Sequence, residues 1–345
     1  MKKSLIALAV LAASGAAMAQ SSVTLFGVVD TAVGYVDNAN AAGDSVYGLT
    51  TSGNATSRLG FRGVEDLGGG LKAGFWLEGE IFGDNGNANG FNFQRRSTVS
   101  LTGGFGEVRL GRDYTPTYLP FIKYDVFGQV GIGQFMGWTG NWYGIGGDSG
   151  NAVRSSNIVS YYTPNFSGFT AGLGYGFDEQ TTGKAGRYIG GYAAYDNGPL
   201  SVALSYDERN VAANFDRNTL TLAGSYNLNV VKLNAIVQQT KDDVIGTDRK
   251  VNAYALGASA PVGAGEVKLQ YAMYDQKAID SKAHHISLGY VHNLSKRTAV
   301  YGTVSYMDNK DSSKVGLSVR GLSEVKGPAT GESQTGVQVG VRHSF

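Results

Sequence analysis

After residue 20 the apolar positions of this chain recur at every second residue. In the segment 71–81, Leu71, Ala73, Phe75, Leu77 and Ile81 fall on one side, and Lys72, Trp76, Glu78 and Glu80 on the other. The split returns at 266–274, where Val267, Leu269, Tyr271 and Met273 oppose Lys268, Gln270 and Tyr274. It returns again at the end, where Val337, Val339, Val341 and Phe345 oppose Gln338, Gly340, Arg342 and Ser344. A period of two belongs to strands, whose successive side chains leave opposite faces. No segment sustains the three-to-four spacing of an amphipathic helix, so the pattern predicts an all-β chain. Short connections such as 66–70, 103–106 and 261–265 alternate with longer polar ones, among them 37–57, 83–90 and 308–333. About sixteen strand-like runs follow Gln20, an even number of the kind that membrane-spanning barrels use.

The first nineteen residues follow another rule. Lys2 and Lys3 precede an apolar run from Leu5 to Val10, and Ala17-Met18-Ala19 forms an A-x-A site. These are the three parts of a secretory signal, so residues 1–19 are expected to be removed and Gln20 to begin the mature chain. No later stretch reaches the ~18 apolar residues of a membrane-spanning helix. The rest, 20–345, carries no linker and is expected to be one domain. Strand alternation alone does not separate a soluble sandwich from a barrel with a polar lumen. The export signal, the alternation of short and long connections, the 20 tyrosines suited to interfacial girdles and the terminal Phe345 favour the barrel.

Charge narrows the partners. With 29 Lys+Arg against 28 Asp+Glu, the chain carries a formal +1, and losing Lys2 and Lys3 leaves 27 against 28. A nucleic-acid partner needs a net basic face and is not expected. The chain has no Cys, which excludes disulfides and thiolate metal sites.

Several motifs then converge on one family. The stretches Ser22-Val23-Thr24-Leu25-Phe26-Gly27-Val28-Val29-Asp30, Ser57-Arg58-Leu59-Gly60-Phe61-Arg62-Gly63 and Glu65-Asp66-Leu67-Gly68 resemble the opening of the Gram-negative general porins. Gly106-Glu107-Val108-Arg109-Leu110-Gly111-Arg112 and the closing Gly340-Val341-Arg342-His343-Ser344-Phe345 match too. The similarity runs the length of the chain and is greatest toward the anion-selective porins of β-proteobacteria. It implies a 16-stranded antiparallel transmembrane β-barrel, a homotrimer in the outer membrane, and a third extracellular loop folded inward as a constriction. It also implies passive transport of small hydrophilic solutes, with small anions preferred and no cofactor.

The segment 114–152 fits that loop. It lacks a strand pattern but holds Phe121, Phe127, Phe135, Trp138 and Trp142, and a long aromatic-rich loop is functional rather than disordered. Asp125-Val126-Phe127-Gly128 resembles the family's acidic turn at the loop tip, and Asp125 is the one carboxylate between Tyr114 and Gly147. Asp125 is therefore a candidate constriction residue that subtracts one charge.

Opposite it stand arginines. With Leu59 and Phe61 facing lipid, Arg58 and Arg62 point inward, since an arginine in hydrocarbon costs roughly 2–4 kcal/mol near the midplane. With Val99 and Leu101 outward, Arg96 points inward, whereas Arg95 needs a bulge or a place past the strand end. The resemblance assigns one arginine of this pair to the basic cluster and favours Arg95; both stay open. Arg154 matches the family's third arginine. Arg62, Arg112, Glu78 and Glu80 are secondary lumen candidates, as pore groups or as struts pairing arginine with Glu78, Glu80 and Asp113. The alternation that ends on Phe345 resembles the signal read by the barrel-insertion machinery.

Catalytic and metal sites are not expected. The four histidines, His284, His285, His292 and His343, stand in no metal-spaced or nucleophile motif, and His285 alone falls on the lumen side. Glu78 and Glu80, two apart on a strand face, read as hydrated wall rather than a glycosidase pair. An alternative function is a substrate-specific channel, whose aromatic slide Tyr114, Tyr118, Phe121 and Tyr124 could supply.

Overall fold

The structure, a computed structural model, describes residues 22–87, 92–138, 152–244 and 247–345. The leader read over 1–19 lies outside the described residues, as does Trp142. Strands β1 (Ser22–Asp37), β2 (Val46–Thr51), β3 (Arg58–Gly68), β4 (Leu71–Glu80), β5 (Arg96–Gly103) and β6 (Gly106–Tyr114) precede the long loop. After it come β7 (Arg154–Tyr162), β8 (Phe169–Gly176), β9 (Tyr188–Asn197), β10 (Leu200–Ala212), β11 (Phe215–Asn227) and β12 (Lys232–Val244). The chain ends with β13 (Thr247–Val262), β14 (Gly265–Gln276), β15 (Ser281–Asn293), β16 (Thr298–Asp311) and β17 (Gln334–Ser344).

Every neighbouring pair is antiparallel, and β17 returns to β1 with Val28 opposite Ser344 and Asp37 opposite Thr335. Strands β2 and β3 share one course along β1: Val36 faces Val46, and Val28 faces Arg58. Seventeen named strands therefore make sixteen staves of a closed barrel. Closure leaves no ladder edge, which hydrocarbon requires of any sheet that spans it.

The alternation sorts as the sequence predicts. Leu25, Phe61 and Leu77 are successive cross-strand partners on the outer face, and Val339, Leu256 and Leu288 are exposed there too. Phe105, Phe166, Phe169 and Tyr226 are exposed beside the short turns, where an aromatic girdle belongs. Gln238, Gln270, His285 and Gln338 are buried on the inner face.

The loop after β6 supplies what buries them. The Tyr124 hydroxyl lies 2.8 Å from Ser201 Oγ, and the Val126 N–H donates to Gln270 Oε1 at 3.2 Å. The Ile132 N–H donates to Gln338 Oε1 at 3.1 Å, and the Met136 N–H to the Tyr274 hydroxyl at 3.0 Å. These partners belong to inward faces of β10, β14 and β17, so the described stretch 118–138 lies within the barrel. The wall makes room for it with single methyl groups, Ala203, Ala223, Ala253, Ala255, Ala272 and Ala283. Tyr118, Phe121, Tyr124, Phe135 and Trp138 fill that room, with the Phe135 and Trp138 rings 5.7 Å apart and near-perpendicular. Gly257 completes the seat, because a Cβ there would stand 2.3 Å from Val126 Cγ2. Burying one such large side chain stabilises by about 1.5–3 kcal/mol, so this slab is the molecule's hydrophobic core.

Candidate functional site: a basic neck between the loop and the wall

The space left by the slab is a cavity of about 650 Å³ on the β3–β7 side. Its far side is the loop, through Tyr118, Ile122, Gly128, Gln129 and Gln134. Its near side is the wall, through Arg58, Arg62, Trp76, Glu78, Arg95 and Arg154. Between β2 and β3 the residues 52–57 leave the sheet, and Asn54, Ala55 and Thr56 join the lining.

Glu78 is the hub of the wall. Arg95 Nε donates to Glu78 Oε1 at 2.7 Å, Trp76 Nε1 donates to Oε2 at 3.1 Å, and Arg58 Nε stands 4.0 Å from Oε1. Arg95 also donates to the Tyr114 hydroxyl at 3.0 Å, and its side chain is only 5% exposed. Arg154 Nε donates to the Arg95 carbonyl at 2.9 Å, and its guanidinium lies 4.1 Å over the Tyr114 ring. That stack holds the group flat against the wall.

Both arginines of the unresolved pair point inward, at different depths. Arg95 precedes β5, past the strand end, and lines the neck. Arg96, the first residue of β5, lies 4.5 Å over Trp76 and 3.4 Å from Asp113 Oδ2. It lines a second cavity of about 500 Å³ with Lys72, Arg109 and Glu107, and that cavity shares Arg62 and Trp76 with the neck. Arg62, 5.1 Å over the Trp76 ring, therefore stands at the junction of the two spaces.

Two expectations need correction. Asp125 does not line the neck: it is buried, and its carboxylate accepts from the backbone N–H groups of Phe127, Gln129 and Phe135 at 3.1, 2.8 and 3.0 Å. Burial pushes its carboxyl above the ordinary range, against the pull of those donors. It braces the loop turn and puts no charge on the neck surface. Arg112 is not lumenal either, because it shares parity with Val108 and Leu110 and faces the outward Ser97 across the ladder. On the outer face it donates to the Gln94 carbonyl and, at 2.9 Å, to Ser156 Oγ.

Glu80 is inward and paired with Arg320, which the sequence reading missed. Arg320 stands in the aperiodic stretch 312–333, where no alternation assigns a face. The structure docks it at the neck, with its carbonyl accepting from the Thr51 N–H at 3.1 Å. His285 is inward and buried, 3.0 Å from Ser287 Oγ.

A lumen walled by arginines inside a closed sixteen-stave barrel is the plan of a diffusion channel, and a family model described as Gram-negative porin matches residues 5–312. The chain belongs to that family. This porin is 66% identical over 354 residues to outer membrane porin protein 32 of Delftia acidovorans, with 100% of each chain covered. The solved anion-selective porin from Comamonas acidovorans matches with a TM-score of 0.88 at 61% identity, covering 94% of this chain and 100% of that one. The trimer form of OmpT, an outer membrane protein of Vibrio cholerae, matches at 0.68 with 14% identity over 94% of this chain and 99% of that one, a likeness of fold. This porin is thus an outer-membrane channel for passive diffusion rather than an enzyme.

Proposed function

We propose that this porin is a general diffusion channel with a preference for small anions, and that the neck arginines set the preference. One observation carries the reading: among the described lining residues, five guanidinium groups (Arg58, Arg62, Arg95, Arg154 and Arg320) face the single carboxylate of Glu78. Arg95 is held by Glu78 and Arg320 by Glu80; Arg58 and Arg154 on the same lining meet the ion, with Arg62 at the way through to the second cavity. A unit charge about 4 Å from an ion contributes about 1 kcal/mol in bulk water, so two or three of them, less Glu78, favour anions roughly tenfold. A planar-bilayer record in a KCl gradient tests this. A zero-current potential on the anion side supports it, and one on the cation side overturns it.

The loop 114–152 is the constriction in this reading. A substrate-specific channel would need an aromatic slide open to the lumen. Of the four candidates Phe121 and Tyr124 are buried in the slab and Tyr114 and Tyr118 alone line the neck, too short a run for a slide, which supports general diffusion. Swelling of liposomes by uncharged sugars of graded size should show one smooth cutoff; a single outlying sugar would favour the specific channel.

The trimer rests on wall height. Strands β5 and β8 have 8 residues and β6 and β7 have 9, whereas β10–β16 have 12 to 16. Eight residues at ~3.4 Å, tilted ~45°, rise about 19 Å, short of the ~25 Å apolar band. A neighbouring subunit would cover this low sector, and Arg112 and Ser156 on its outer face suit protein better than lipid. Mass measurement in mild detergent should give three copies. Residues 1–19 serve as the export signal in this account, and N-terminal sequencing of the mature protein should begin at Gln20.

Phe345 closes the seam by exchanging backbone hydrogen bonds with Gly27 at 3.0 and 3.1 Å. We assign it the further role of recognition by the barrel-insertion machinery. Deleting it should lower outer-membrane yield.

A further inference from the structure

The residues 52–57 break the ladder at the neck, yet their backbone is tied down by one side chain. Asp30 on β1, fully buried, accepts from three successive N–H groups of this insert: Gly53 at 3.3 Å, Asn54 at 2.8 Å and Ala55 at 2.6 Å. From the far side of the seam, the Tyr301 hydroxyl on β16 donates to the same carboxylate at 2.5 Å. The Asp30 backbone joins in, its N–H donating to Ser57 Oγ at 2.9 Å and its carbonyl accepting from the Ser52 N–H at 2.9 Å. An unpaired carboxylate at this depth would be costly, and three aligned amide dipoles with a hydroxyl satisfy it.

The insert so held is pinched between the wall and the loop. A Cβ on Gly131 of the loop, itself at φ +68°, would stand 2.1 Å from the Gly53 carbonyl oxygen. A Cβ on Gly53 would stand 2.3 Å from the Tyr301 hydroxyl. The loop and the insert therefore meet backbone to backbone, the Tyr301 side chain of β16 closes on the insert, and their spacing fixes one corner of the neck. From that corner the Thr56 carbonyl accepts from Arg58 Nη1 at 3.1 Å.

We propose that Asp30 is the positioning residue of the neck: its carboxylate replaces the missing ladder, seats 52–57 against Gly131, and through Thr56 sets how far Arg58 reaches toward the permeating ion. This rests on the anion-filter reading for its selectivity but not for its geometry.

The sign of the effect separates positioning from simple electrostatics. Asp30→Asn removes a negative charge, so electrostatics alone raises anion preference. Positioning predicts the reverse: the anion-to-cation permeability ratio falls roughly twofold, as when a unit charge retreats from about 4 to about 6 Å in water. It also predicts a larger sugar cutoff in swelling assays. Tyr301→Phe keeps every charge and removes one donor, so it should shift both readouts in the same direction by less, and it stands in if Asp30→Asn does not assemble. A ratio and cutoff unchanged in Tyr301→Phe, or a ratio that rises in Asp30→Asn, overturns the proposal. Cation preference in the wild type would overturn the filter reading instead, and the cutoff in both variants would still decide the positioning claim.

Discussion

The two halves of this barrel wall solve opposite problems with the same alternation. From β3 to β7 the staves are short and the inner face carries arginines held by Glu78 and Asp113, while Glu80 holds Arg320 of the 312–333 loop. From β10 to β16 the staves are longer, and alanines set among the inward polar residues make room for an aromatic slab. One half turns its arginines to open space, whereas the other packs, with its own ion pairs Arg209–Asp207 and Arg217–Asp242 buried. The slab leaves the open cavity against the basic wall, so in the proposed function size would be set from one side and ionic preference from the other. Permeability and selectivity should therefore be separable by mutation.

The largest separable effects come from the two hubs. Phe135→Ala empties a fully buried site in the slab and should destabilise by about 3–5 kcal/mol. In swelling assays it should raise the sugar cutoff while leaving the permeability ratio within experimental scatter; a shifted ratio would join the two halves again. Glu78→Gln leaves the buried Arg95 guanidinium without its partner, a loss of about 3–5 kcal/mol in a buried pair. Heat stability should drop and anion preference rise, with the sugar cutoff unmoved. If anion preference falls, Glu78 positions the arginines more than it offsets them.

Smaller effects sharpen the comparison. Asp125→Asn weakens the loop brace by about 1–3 kcal/mol, the range for an unsatisfied buried group. Because that carboxylate is turned into the loop, the zero-current potential should scarcely change; a clear anion-directed shift would place its charge on the path after all. Arg112→Ala should leave conductance and ion preference alone and act, if anywhere, on the heat stability of the proposed trimer in detergent.

The stave pattern was legible because one face of each strand meets hydrocarbon, which enforces a strict period of two. Arg58, Arg62 and Arg96 followed from it directly. Arg95 did not, since its direction depends on β5 beginning one residue later. Arg112 obeys the same parity as Leu110, and alternation places it outward, against its motif's pull toward the lumen. Arg320 was out of reach because its place depends on Glu80, 240 residues away, and the burial of Asp125 because its turn closes on the N–H groups of Phe127, Gln129 and Phe135, which no alternation marks. The Asp30 cradle belongs with them: a lone acid in an apolar strand carries no mark of the three amides that will meet it.

The proposed selectivity rests on Arg58 and Arg154, the arginines placed to touch the ion. In planar bilayers under a KCl gradient, Arg58→Ser combined with Arg154→Ser should move the zero-current potential from the anion side toward the cation value. The wild-type preference should itself shrink as salt is raised from physiological strength to 1 M, where the screening length falls from about 8 to about 3 Å. A double variant whose potential matches the wild type across that range would contradict the claim that the neck arginines select the ion.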